Sequence, residues 1–375
     1  MEILIFILVI VALIVVHEFG HFVAAKLSGM RVDEFGLGYP PRAATIATVG
    51  ETRYTLNWIP FGGFVKIYGE DGLENEQQAG GGNQRAFANR PRVLQAIVLI
   101  AGVAMNLLFA YALITGALIA GTPRALAPDD VATASHVQLA VAGVLSNSPA
   151  ALAGIIAGDT ITSAVDSHGA WHPGTGDDTA DPESFTQFVS RSEGGPLILS
   201  VVHNGVNSSL TAIPVRGIVP DDPSRYALGV EVATIGVIPL SVGEAFVEGA
   251  QLTWGATKLT AVGLWQFFSS VFTLTANFSQ VAGPVGIAGV VGSASMEGVG
   301  SLLSIMAIIS INLAIINLIP VPALDGGRLL FVIIEGFIRR PIRPRIAQTV
   351  NSIGFAFLVL LMLVVTAHDI FKILG

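Results

Sequence analysis

Four stretches of the chain, 3–27, 93–121, 300–319 and 346–367, are almost uniformly apolar. Each reaches or exceeds the roughly 20 residues that an α-helix needs to cross a hydrocarbon core of about 30 Å. In lipid no water satisfies backbone N–H and C=O groups, so such stretches can be membrane-spanning only as helices. Composition agrees: 52% of residues are hydrophobic and 12% charged, where soluble chains carry about 25% charged residues. The class expected is a polytopic α-helical membrane protein of about four transmembrane helices with a modest soluble part. The 42 glycines follow no fixed period, which excludes collagen-like repeats. The net charge of −8 argues against a nucleic-acid partner. Cysteine is absent, so any metal must be held by His, Asp or Glu.

The first stretch does not read as a cleaved signal peptide. It opens Met1-Glu2 without a basic region, lacks a clear small-residue cleavage site, and carries His17, Glu18 and His21 where the apolar run should end. It is read as a retained helix. Basic residues then orient the spans. Arg31, Arg42, Arg53, Lys66, Arg85, Arg90 and Arg92 lie between the first two, and Arg328, Arg339, Arg340, Arg343 and Arg345 follow the third. The segment 122–299 has five basic residues against 15 acidic ones. The cytoplasm is therefore expected at 30–92 and 328–345, with 122–299 and both termini outside. A fifth apolar stretch, 249–274, holds Trp265, Phe267, Phe268 and Phe272. As a span it would reverse the third helix, so an amphipathic segment on the outer face is expected instead.

These readings divide the chain into a first transmembrane helix (1–29), a cytoplasmic loop with a membrane-associated β-hairpin (30–92) and a second helix (93–121). An extracytoplasmic region (122–240) and an interfacial segment (241–299) follow. The third helix with its following helix (300–345) and the fourth (346–375) complete the chain. Within 30–92, residues 54–68 are aromatic and β-branched around Gly62-Gly63, the pattern of strands joined by a tight turn. Residues 74–83, with three glycines, read as a linker. Residues 138–215 read as a small β-rich domain. Strands at 139–145, 197–203 and 208–215, and a turn with a further strand over 155–161, alternate with a short helix capped by Ser148 and closed by Gly154, and a second helix at 182–191. The run from Ser148 to Ile161 resembles the core of PDZ domains, which bind peptide ends by strand addition.

His17-Glu18-Phe19-Gly20-His21 is an H-E-x-x-H motif. On a helix the two histidines stand one turn apart on one face and can reach one zinc ion, with Glu18 beside them as general base. A carboxylate within a span costs on the order of 2.5–3.5 kcal/mol and normally signals function. A hydrolytic zinc site needs a third ligand and an open position. Asp325 stands out, in a Gly- and Pro-broken apolar run just after the third span. Its position before Gly326-Gly327 also suits a helix N-cap, and the two roles are compatible. Broken helices at membrane depth are tolerated where they line a cavity, and a polar cavity opening to the cytoplasm near His17 is expected. His168, His172 and Asp166 form a second group, in a Gly- and Asp-rich loop without helical pattern, which reads as a solvated loop.

H-E-F-G-H in the first span, N-x-x-P-x-P-x-L-D-G-G from Asn317 after the third, and a PDZ-like insert between spans two and three resemble the site-2 protease family of intramembrane zinc metalloproteases. Within it, the nearest subgroup is the regulator of sigma-E protease. The likeness extends to Phe35-Gly36-Leu37-Gly38, Gly62-Gly63-Phe64-Val65-Lys66 and Gly283-Pro284-Val285-Gly286-Ile287. It implies that His17, His21 and Asp325 ligate Zn2+, that Glu18 is catalytic, and that Asn317 helps hold the substrate strand. The 54–68 hairpin would present an edge to that strand through Gly63, Phe64, Val65 and Lys66. Single-span membrane proteins, such as anti-sigma factors or remnant signal peptides, are the implied substrates, with peptide ends at the PDZ-like domain and the cell inner membrane as location. The family's A-G-P-x-x-N motif of the second span reads Ala101-Gly102-Val103-Ala104-Met105-Asn106 here, without proline, and one PDZ-like domain replaces a tandem pair. A zinc transporter would need a polar path that the second and fourth spans do not offer. A silent PDZ adaptor would have no use for Glu18.

Overall fold

The computed structural model describes residues 2–70, 84–173, 180–203, 206–219, 222–238, 240–273, 283–340 and 342–374; the linker read at 74–83 lies outside them. The chain begins α1 (Glu2–Leu27), β1 (Val32–Val49), β2 (Thr52–Ile67), α2 (Arg92–Ala120). It continues β3 (Arg124–Ala125), β4 (Ser135–Val144), α3 (Pro149–Ala153), β5 (Thr160–Val165), β6 (Ala170–Trp171), α4 (Pro182–Arg191), β7 (Leu197–His203), β8 (Val206–Ala212) and β9 (Val230–Val237). Helices α5 (Val242–Phe272), α6 (Pro284–Glu297), α7 (Val299–Leu318), α8 (Asp325–Ile338) and α9 (Pro344–Leu374) complete it. These elements form two compact units, residues 1–118 with 243–375, and residues 119–242.

Among the described residues of the helical unit, four helices are long and apolar enough to cross a membrane: α1, α2, α7 and α9. Helices α1, α2 and α7 meet through contacts that include small residues, the packing expected where lipid supplies no hydrophobic drive between helices. A Cβ on Gly20 of α1 would run into the carbonyl of Ala101 on α2. Ala110 and Leu113 of α2 pack on Ala307 and Ile311 of α7. Among the described residues, the stretch 241–299, expected to be interfacial, holds two helices of different character. Helix α5 leaves Trp254, Leu259 and Trp265 exposed, while its first half touches α2, where Tyr111 donates to the Phe246 carbonyl at 3.1 Å. Helix α6 is part of the bundle: Val291 is fully buried against Val9 and Leu13 of α1 and Leu313 of α7. Its 14 residues, rich in Gly, Ala and Ser, are too few to span a bilayer but smooth enough to wedge between helices.

Strands β1 and β2 are long and bent, and they pair twice. Residues 34–37 face 63–66 on one side and 53–56 on the other, while 44–49 pair with 52–56. The pair thus makes a small sheet in which 63–66 is an outer strand, with no further strand beside it among the described residues. Val32, Ile67 and Val65 pack with Phe22 and Ala25 of α1 and Val98 and Leu99 of α2, which ties this sheet to the end of the first helix.

The second unit is a seven-stranded sheet of order β3-β9-β4-β5-β7-β8, with β6 on β5. Ser148 caps α3, accepting from the Ala151 amide at 3.2 Å, and Gly154 ends it at φ 90°. Asp181 caps α4 through the Ser184 amide at 2.8 Å. Trp171, Phe185, Phe188, Leu139, Leu197 and Leu199 form its core. The sheet extends past 138–215: β9 pairs along nearly the whole of β4, from Ser135↔Val237 to Val144↔Val230. Residues 230–233 of β9 have no strand on their other side among the described residues. Thr234 donates to the Ala180 carbonyl at 2.8 Å, so α4 starts beside that open edge.

Candidate metal centre

The last third of α1 carries His17, Glu18 and His21. The helix supplies the geometry: residues four apart share a face, and here His17 Nε2 and His21 Nε2 approach to 3.2 Å. Asp325 arrives from 308 residues away, with Oδ2 at 2.9 Å from His17 Nε2 and 3.2 Å from His21 Nε2. Both histidines are buried. Among the described residues this is the only group of three or more metal-type donors that lie together, all within 4.8 Å of one another.

Asp325 reaches this point because the chain between α7 and α8 turns tightly. Ala323 takes φ 75°, and a Cβ on Gly326 or Gly327 would collide with the carbonyls of Leu318, Ile319 and Val321. The N-cap of α8 is Leu324, and Asp325 makes no capping hydrogen bond. Of the two roles open to it in the sequence, capping is therefore not the one it takes here. Its carboxylate faces the histidines.

Helix α2 supports the pair from behind, with residues one turn apart along one face. The Val98 carbonyl accepts from His21 Nδ1 at 2.8 Å. Because a carbonyl only accepts, this bond puts a proton on Nδ1, and in the neutral imidazole it leaves Nε2 with a bare lone pair. Gly102 comes next: a Cβ there would strike His21 Nε2 and lie 2.7 Å from His17 Cε1. Asn106 follows, fully buried, with Nδ2 3.2 Å from His17 Nδ1. Val98 carries no signal in the sequence, and Gly102 and Asn106 stand out there only as members of one family motif. The visible signal was Gly102 and Asn106 at helical spacing in an otherwise apolar span.

The residues fit a zinc ion. Two imidazole nitrogens and one carboxylate oxygen make a common hydrolytic donor set, and ligands about 2.0–2.2 Å from a tetrahedral ion lie roughly 3.3–3.6 Å apart, close to the 2.9 and 3.2 Å found here. Three protein donors leave the fourth position open for water. Glu18 lies next to this group, half-buried, and Gly63 of the outer strand stands beside it: a Cβ at Gly63 would be 3.5 Å from Glu18 Cγ and 3.1 Å from the Gly36 carbonyl. Phe64 and Val65 are half-buried and Lys66 exposed. Asn317, half-buried, lies near the end of α7. A cavity of about 1020 Å³ lies between the start of α2, α8 and the start of α9, lined by Glu70, Arg92, Leu99, Ala323, Arg328 and Glu335 among others. It was expected near His17; its lining reaches Leu99 and Ala323, next to Val98 and two residues from Asp325, without including the histidines. Within it Arg92 pairs with Glu335 at 2.9 Å and Arg328 with Glu70. The other group, Asp166 with His168 and His172, gathers no such site. Asp166 Oδ1 accepts from the His168 and Gly169 amides at 2.7 Å and closes the β5–β6 turn.

Apolar helices that carry H-E-x-x-H and bring a distant carboxylate to it define a membrane metallopeptidase. Comparison with known proteins agrees. Residues 5–361 match peptidase family M50. A Nostoc sp. protein, provisionally named a zinc metalloprotease, is 34% identical over 364 residues, 96% of this chain and 93% of its own. The zinc metalloprotease RasP of Oceanobacillus iheyensis is 28% identical over 444 residues, covering 97% of each chain. The chloroplastic membrane metalloprotease ARASP of Arabidopsis thaliana is 30% identical over 370 residues, 96% of this chain and 77% of its own. The chain belongs to peptidase family M50, the site-2 protease family. It is a multi-pass membrane zinc metalloprotease.

Proposed function

We propose that this protease hydrolyses peptide bonds within or beside transmembrane segments of membrane-anchored, single-span substrates, in the manner of regulated intramembrane proteolysis. The observation that carries the reading is the outer strand 63–66 lying against the helix that bears Glu18, with Gly63 beside the glutamate. A peptide bond in an intact helix is shielded and its carbonyl already bonded. Once unwound in lipid, its backbone groups would each cost several kcal/mol unless paired. An open strand edge offers those partners by β-addition. Gly63, Phe64, Val65 and Lys66 would hold the unwound segment from one side, and Asn317 would support it from the other.

In this reading His17, His21 and Asp325 hold the zinc, which supplies Lewis acidity toward the scissile carbonyl and toward water. Glu18 takes the proton from the attacking water and delivers it to the leaving amine. Val98 orients His21. The basic residues of 30–92 and 328–345 support a cell-membrane location with the active site toward the cytoplasm and residues 122–240 outside. In that outer unit, the capped helix after Ser148 and the open edge of β9 beside α4 support a PDZ-like role, in which β9 takes up a peptide end as an added strand. That unit would then filter substrates by size and leave the chemistry to the helical unit.

The test is cleavage of a panel of single-span substrates in membranes, with cut sites mapped by mass spectrometry. Cuts should fall in or next to the spans. Val65→Pro, which removes a backbone donor from the outer strand, should impair cleavage of stable helices severely and of helices weakened by Gly or Pro much less. Cuts confined to water-exposed segments, or equal impairment of both substrate types, would contradict the reading.

A further inference from the structure

We propose that Asn106 is a positioning residue of the zinc centre: its side-chain amide oxygen accepts a hydrogen bond from the Nδ1–H of His17 and so holds that imidazole in the tautomer that turns a bare Nε2 toward the metal. The inference rests on reading His17, His21 and Asp325 as the zinc ligands, and it adds a residue from the second apolar helix.

Asn106 sits well inside α2, fully buried. An amide there has no water to meet it, and leaving it unpaired costs free energy. Its Nδ2 lies 3.2 Å from His17 Nδ1, and its Oδ1 is buried without a partner among the described residues. The other ring nitrogen, Nε2, is the one that faces Asp325 Oδ2 and His21 Nε2. A neutral imidazole carries one proton on one nitrogen. If Nε2 is given to a cation, the proton sits on Nδ1 and needs an acceptor. A half-turn of the amide exchanges its oxygen and nitrogen and brings the unpartnered Oδ1 onto the ring N–H.

The same helix face already does this for the other histidine, whose Nδ1 donates to the Val98 carbonyl at 2.8 Å. Val98, Gly102 and Asn106 follow one another at four-residue intervals. The two outer members each meet one histidine, and the middle one has no side chain because the two rings occupy its place. Ser310 of α7 donates to the Asn106 carbonyl at 2.8 Å and fastens the backbone there. The face therefore works as one seat for both rings, in the manner by which residues behind metal ligands fix their tautomer and orientation.

The experiment is a chelator titration of zinc on the purified full-length protein, comparing wild type, Asn106→Leu, Asn106→Asp and His17→Ala, with thermal unfolding as a check on folding. Asn106→Leu keeps the bulk and removes the acceptor, and zinc affinity should fall by about 10–100-fold. Asn106→Asp keeps an acceptor, and its affinity should stay near wild type. A residue that only filled space would give the opposite order, since Leu would be tolerated and a buried carboxylate would not. Wild-type affinity in Asn106→Leu, alongside zinc loss in His17→Ala, overturns the role of Asn106 and leaves the ligand set standing. Wild-type affinity in His17→Ala overturns both. If Asn106→Leu does not fold, Asn106→Asp decides alone: retained zinc supports the role, and loss of zinc or of the fold in that variant overturns it.

Discussion

In residues 119–242 the deeply buried side chains are mostly apolar, among them Trp171, Phe185, Phe188, Leu197 and Leu199. In the helical unit His17, His21, Gln95, Asn106 and Ser310 are buried alongside Leu13 and Ile311, while Ile3, Trp254, Trp265 and Phe371 are exposed. The same physics produces both patterns in different solvents. Water drives apolar surface inward at about 25 cal/mol per Å². Lipid gives helices no such drive, so they meet through small residues and turn their polar groups toward one another. A buried polar group therefore means different things in the two units. In the sheet unit Asp159, buried and bonded to the Ile156 amide at 3.1 Å and to His203 at 2.8 Å, closes a turn. In the helical unit buried His17, His21 and Asn106 meet at one place, beside Asp325, where a metal ion could be held.

The contrast can be broken in steps of decreasing size. Gly102→Val forces a side chain into both histidine rings, and zinc content should fall from about one per chain to near zero while helical circular dichroism persists. Full zinc in that variant would mean that α2 does not pack on the histidines. Phe185→Ala should destabilise the sheet unit by about 3–5 kcal/mol, read as faster hydrogen exchange within 119–242 at unchanged zinc content. Zinc loss in that variant would show that the two burial schemes are not independent. Asp159→Ala should cost the same unit about 1–3 kcal/mol, because the Ile156 amide loses its acceptor. Trp265→Ala, on an exposed face of α5, should change unfolding in detergent by no more than about 0.5 kcal/mol; a larger change would mean that this face is packed.

What could be read in the sequence was whatever is local. Span length, the spacing of His17 and His21, the Ser148 and Gly154 caps and the helix at Pro182–Arg191 depend on neighbours within a turn or two. What could not be read depends on distant partners. Strand β9 returns to β4 from about 90 residues away, and nothing in 230–237 names its neighbour. The doubling of 34–37 between 63–66 and 53–56 depends on register, which an alternating pattern leaves open. The packing of helix α6 is not legible in its sequence, because its smooth face has meaning only against α1 and α7. Asp325 was found because a carboxylate in an apolar run is conspicuous. Val98 was not, because a backbone carbonyl can do its work under any side chain.

The central claim is that His17, His21 and Asp325 hold the zinc that Glu18 uses to cut peptide bonds. Glu18→Gln and Asp325→Ala, purified in parallel, test it most directly when zinc content and cleavage of a single-span substrate are measured on the same samples. The account predicts that Glu18→Gln keeps about one zinc per chain and loses cleavage by at least about 10²-fold, while Asp325→Ala loses both. Near-normal cleavage by Glu18→Gln, or full zinc and activity in Asp325→Ala, would contradict it.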